Sequence, residues 1–170
     1  QHNVICYGYS IEVKRAGRFD VEKAKENQIE QRYWSRLQKG EIIETENRVL
    51  TPSMVLGEVR KGLKVTYCTD TRPVPSIVKN AEGADLFICE GMYGEEDKLN
   101  KAKEHKHMMF SEAATLAKEA GAKELWLTHY SPALTRAEEF IPATREIFPN
   151  TYPGKDGKSV DLLFEEGEGV

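Results

Sequence analysis

The chain has 170 residues, 39% hydrophobic and 31% charged, with a formal net charge of −4. That balance fits one globular domain with a real core, and no stretch approaches the ~18 apolar residues of a membrane span. No charged-then-apolar leader occurs, so nothing points to secretion, and the expectation is a cytoplasmic protein without a membrane partner.

The chain opens Gln1-His2-Asn3 and enters a strand-like run at once, which reads as a cut and not a native start. Val4–Val13 alternates well enough for a strand. From Ala16 to Pro52 the pattern turns polar, with two short helical runs near 21–27 and 31–38, the Lys39-Gly40 stop, and a short hairpin around Glu41–Leu50. This segment reads as a helical arm leaving the main body. After Gly62 a regular rhythm begins. Lys64–Cys68 is predicted as a strand ending at Thr69-Asp70-Thr71, followed by a helix from Pro73 to about Asn80. A second strand, Asp85–Cys89, ends at Glu90-Gly91. Helices follow near 95–105 and at 111–120, the latter closed by Gly121. Glu124–Leu127 is a third strand ending at Thr128-His129, then come a helix over about 135–147 and a last strand at Val160–Phe164. The acidic run Glu165–Glu168 closes the pattern. Such alternation implies a largely parallel sheet covered by helices.

Residues 14–39 carry eight bases (Lys14, Arg15, Arg18, Lys23, Lys25, Arg32, Arg36, Lys39) against four acids, with Tyr33 and Trp34 among them. The remainder is acidic. A local basic, aromatic segment can hold phosphates on an acidic body, although from charge alone a solvated amphipathic helix is the better reading. Cys6, Cys68 and Cys89 form an odd set with no close pair, each in an apolar run, and read as buried reduced thiols.

Ligands in parallel α/β sheets bind outside the carboxyl ends of the strands. Three consecutive strand ends carry Asp70, Glu90 and His129. His107 lies just before the helix leading into the third strand, and His2 just before the first strand. Oxygen and imidazole donors without thiolates suit Zn²⁺ or Mn²⁺ in a hydrolytic site. Any one of these residues alone is more often a satisfied surface or core residue.

Five motifs in order carry a resemblance. His2-Asn-Val-Ile-Cys-Tyr-Gly-Tyr, Lys64-Val-Thr-Tyr-Cys-Thr-Asp-Thr-Arg-Pro, Ala84-Asp-Leu-Phe-Ile-Cys-Glu-Gly, Lys106-His-Met-Met-Phe-Ser-Glu-Ala-Ala and Leu127-Thr-His-Tyr-Ser-Pro resemble successive motifs of the ribonuclease Z family, zinc-dependent endonucleases that trim precursor tRNA at its 3′ side. The resemblance implies the C-terminal half of a metallo-β-lactamase-type αββα sandwich (α/β, layered as α+β). Residues 1–170 would then be a partial domain, with 14–52 an inserted arm that grips tRNA away from the cut through Lys23, Lys25, Arg32 and Arg36. It further implies that His2 binds one zinc ion, His129 the other, and Asp70 bridges them. His107 would stand beside the scissile phosphate as proton donor or charge stabiliser. Glu90 is our addition, as the acceptor that orients His107 or a ligand histidine. The family's His-x-His-x-Asp-His cluster does not occur in these residues. The expectation is therefore an incomplete enzyme, inactive by itself, holding zinc weakly or not at all, and associating as a homodimer.

The sequence departs from many relatives in two places. Ser131-Pro132-Ala133-Leu134 lacks the arginine that follows the last histidine motif, and Ile29–Trp34 lacks a Gly-Pro signature. Two other readings remain open at this point: a hydrolase of the same fold acting on a small phosphodiester, and a non-catalytic RNA-binding module.

Overall fold

A computed structural model describes residues 1–165. They divide into two units, one of Gln1–Val13 with Leu63–Leu163, the other of Lys14–Gly62 with the residues from Phe164.

The first unit is built on a sheet of order β1-β4-β5-β6-β7, to which β1 (Gly8–Arg15) and β4 (Arg60–Cys68) belong in part. The strands β4, β5 (Leu86–Glu90), β6 (Leu125–Thr128) and β7 (Thr151–Pro153) run parallel. The expected parallel sheet flanked by helices is therefore present. β5 is buried on both faces, as its unbroken apolar run Leu-Phe-Ile-Cys requires of a central parallel strand. Helices α3 (Pro75–Ala81), α5 (Phe110–Glu119) and α6 (Ile141–Ile147) supply the covering layer. In α5 the buried residues Phe110, Ala113, Ala114 and Ala117 fall at helical spacing, so one stripe faces the core. Gly121, at φ +60°, ends that segment in the left-handed conformation expected of a helix stop. Phe87 is completely buried in the middle of this core. Phe87→Ala is expected to destabilise the protein by about 3–5 kcal/mol, read as a lower denaturant midpoint at unchanged slope.

Several boundaries differ from the sequence reading. The first strand begins at Gly8, and Val4–Tyr7 has no regular structure. Val160–Phe164 is not a strand. The last strand is instead Thr151–Pro153, which pairs with β6 through Leu125↔Thr151. It escaped notice because it is three residues long and contains a proline, which sheets accept at such edges. The helices expected near 95–105 and 135–147 each begin with a 3₁₀ turn, at Glu96–Lys98 and Ala137–Phe140, before α4 (Leu99–His105) and α6. The helix expected from Pro73 starts at Pro75. Cys68 and Cys89 are buried free thiols, whereas Cys6 is half-buried and outside any strand. Burial holds the Cys89 thiol well above its ordinary pKa. Residues 166–168 of the acidic run lie outside the described residues.

The second unit contains α1 (Val21–Glu26), α2 (Gln31–Gln38) and the hairpin of β2 (Ile43–Glu44) and β3 (Val49–Leu50). Asp20 caps α1 by accepting from the Lys23 amide at 2.9 Å. Ala24, Ile29, Leu37, Ile43, Leu50 and Val55 form a small core of its own. The unit extends past residue 52 because the chain returns to its own start, with Asp20 N–H donating to Val55 O and Gly57 N–H to Arg18 O.

Candidate metal and catalytic site

Parallel pairing in register sets the carboxyl ends of β4, β5 and β6 side by side, with Cys68 opposite Cys89 and Glu90 opposite Thr128. Asp70 follows β4 by two residues, Glu90 ends β5 and His129 follows β6 directly. His129 adopts φ +59°, and Lys106 ends α4 at φ +61° immediately before His107. A non-glycine residue held there costs of order 1–3 kcal/mol, and such strain concentrates at functional sites. Both cases aim an imidazole.

The five residues singled out in the sequence come together. The rings of His2 and His107 lie 5.0 Å apart and those of His107 and His129 5.1 Å apart. His129 Nε2 is 3.4 Å from Asp70 Oδ1. His107 Nδ1 is 3.3 Å from Glu90 Oε1. Two donor groups form, His2–Asp70–His107 and Glu90–His107–His129, each with ligand atoms within 4.8 Å of one another. His107 belongs to both. His105, the fourth histidine, is exposed at the end of α4 and in neither group.

The donor chemistry fits a metal of the zinc type. All the grouped atoms are imidazole nitrogens or carboxylate oxygens, while the buried Cys68 and Cys89 are in neither group. His2 Nδ1 contacts the Lys106 carbonyl at 3.0 Å. A proton donated there leaves Nε2 as the free lone pair, the arrangement that orients metal-binding histidines.

Glu90 has no exposed surface. Its oxygens accept from the amides of Thr71 and Met108, the latter at 3.0 Å. Burial pushes its carboxyl up to about 7, against the lowering effect of those two amides and of His129. Burial also holds the His107 imidazole below its ordinary value, opposed by the nearby Asp70 carboxylate.

Sequence reasoning passed over Arg72 and Glu112. The Arg72 guanidinium donates from Nη1 to the His107 carbonyl at 2.6 Å and to Glu112 Oε2 at 2.8 Å, and from Nη2 to Glu112 Oε1. Glu112 Oε2 also accepts from the Met109 amide at 3.0 Å. The only sequence signal was position, since Arg72 sits two residues after Asp70 and Glu112 in the first turn of α5.

The four bases assigned to RNA lie in the second unit. Lys23 Nζ donates to Leu56 O at 2.8 Å and is half-buried. Lys25 pairs with Glu22, Arg32 with Glu30 and Arg36 with Glu41. Arg32 also stacks over Tyr33 at 4.7 Å. Those three pairs are exposed, and exposed pairs are worth only about 0–1 kcal/mol, so a phosphate can displace the acid at little cost.

A family model described as the beta-lactamase superfamily domain matches residues 10–130. The expected metallo-β-lactamase-type fold agrees with that match and with the helix-flanked sheet. The chain is 64% identical over 167 residues to a protein named ribonuclease Z from Lachnoclostridium phytofermentans, covering 98% of this chain and 55% of that protein. It is 62% identical over 166 residues to ribonuclease Z of Agathobacter rectalis, with 98% and 55% covered. Among solved structures, the short form of human tRNase Z superposes with a TM-score of 0.49 at 26% identity, covering 68% of this chain and 37% of that one. The chain spans about half the length of the curated relatives it matches. It belongs to the beta-lactamase superfamily domain family, and its resemblance to ribonuclease Z extends over nearly all of its residues.

Proposed function

We propose that the intact protein is a zinc-dependent endoribonuclease of the ribonuclease Z type, cleaving precursor tRNA at its 3′ side. The observation that carries this reading is the convergence of His2, Asp70, His107 and His129 in front of the buried Glu90. His2, Asp70 and His129 would hold the ions, with Asp70 reaching toward both histidines. When bound, the ions supply Lewis-acid activation of water and neutralise charge at the phosphoryl group. With Asp70 bridging, these residues give each ion two protein ligands, short of the about three that catalytic zinc sites take. Residues 1–170 alone therefore hold zinc weakly and are inactive.

Glu90 accepts the Nδ1 proton of His107 and turns Nε2 toward the phosphate. His107 donates a proton to the leaving 3′ oxygen. A cytoplasmic location and a homodimer belong to the same reading. Tyr9, Ile11 and Val13 stand exposed on the edge strand β1, and open edges with apolar side chains drive association.

The second unit acts as the RNA arm. Lys23, Lys25, Arg32 and Arg36 meet phosphates, holding the RNA by shape and not by sequence. Replacing all four with Glu in the intact protein is expected to weaken precursor tRNA binding. It should also flatten the salt dependence, by roughly one unit or less of log–log slope per lost contact. Hydrolysis of a small phosphodiester should hardly change. Unaltered 3′ processing of tRNA by that variant, shown to be folded, would remove the arm and with it the case for RNA over a small substrate.

A further inference from the structure

We propose that Arg72 is a positioning residue whose guanidinium locks the turn carrying His107 against the loop carrying Asp70. The proposal rests on the roles given above to Asp70 and His107 and adds the element that couples them.

Two adjacent residues of one loop, Thr71 and Arg72, and two adjacent residues of the other, Met108 and Met109, are joined by two carboxylates. Glu90 accepts the amides of Thr71 and Met108. Glu112 accepts the Arg72 fork and the Met109 amide. Arg72 also ties its own loop directly to the reacting turn, through the His107 carbonyl at 2.6 Å. A guanidinium fork matches a carboxylate in one plane and leaves a further N–H for the carbonyl, which an ammonium does not reproduce. The pair is largely shielded, with 16% and 23% side-chain exposure, so water competes weakly for these bonds. Lys106 stands in the left-handed region just before His107, and the Arg72 bond fixes the carbonyl side of the His107 turn to the loop that carries Asp70. A displacement of about 1 Å in a reacting group costs on the order of 10²-fold in rate.

The test uses the intact, zinc-loaded protein with Arg72→Met, Arg72→Lys and Glu112→Gln, alone and combined with His107→Ala. Arg72→Met is expected to lower kcat on precursor tRNA roughly 10–100-fold at little-changed KM and zinc content, with Arg72→Lys restoring only part of the loss. In the His107→Ala background the same substitution should cost almost nothing further, because its effect passes through that imidazole. A merely structural role would instead lower both backgrounds equally, and that result overturns the proposal. Hydrogen exchange of the Met108 and Met109 amides gives a readout independent of substrate. It should quicken roughly tenfold or more in Arg72→Met, and unaltered exchange overturns the brace. If His107→Ala is as active as the parent, the catalytic reading fails, while exchange still decides the brace. Should Arg72→Met not fold, Arg72→Lys and Glu112→Gln carry the same comparisons.

Discussion

His107→Ala in the intact protein is expected to lower turnover of precursor tRNA by roughly 10²–10⁴-fold, the usual contribution of a general acid, while zinc content stays at the parent level. The geometry makes this outcome decisive, because His107 lies within reach of both donor groups. Its Nδ1 faces Glu90, a carboxylate with no exposed surface that is also bonded to the Thr71 and Met108 amides. An imidazole held that way presents one nitrogen to the site, either to a metal or to a leaving oxygen. Burial lowers its pKa, which makes the protonated form a stronger acid. Loss of zinc in this variant would make His107 a ligand and transfer the proton-donor role elsewhere. Rate and metal content measured on one preparation separate the two cases.

Asp70→Ala should abolish both activity and metal binding. Asp70 sits at the end of β4, in a donor group with His2 and His107, and 3.4 Å from His129 Nε2. Among the described residues, Asp70 is the acid grouped with His2 that also approaches His129, and it is partly open to solvent. If Asp70 is shared by two ions, its removal would leave each with imidazole alone from the described residues, below what a catalytic zinc site needs. Elemental analysis after dialysis is the check. Retention of two zinc ions by the Asp70→Ala protein would show that the aspartate does not bridge.

The sheet and its site were legible because parallel strands announce themselves as apolar runs with polar ends. Cys68-Thr-Asp70, Cys89-Glu90 and Leu127-Thr-His129 each pair a buried strand end with a ligand-type residue, and register does the rest. The hairpin and both helices of the second unit were marked by local signals, such as Asp20 before α1 and the Lys39-Gly40 stop after α2. What failed was of a different kind. β7 is defined by its neighbour β6 and by Gly154, where a Cβ would stand 2.5 Å from the Leu127 carbonyl, and no local pattern of Thr-Tyr-Pro reports that. Val160–Phe164 had the composition of a strand but pairs with nothing as one. Arg72 and Glu112 stand 40 positions apart, so their fork exists only once β4 and α5 are packed.

Zinc-edge X-ray absorption on the zinc-loaded intact protein tests the metal assignment most directly. Ligation by His2, His129 and Asp70 predicts a first shell of nitrogen and oxygen at about 2.0–2.2 Å, with outer imidazole scattering and no sulfur. A sulfur shell at about 2.3 Å would place the ion on cysteine thiolates and contradict the site built at the ends of β4, β5 and β6.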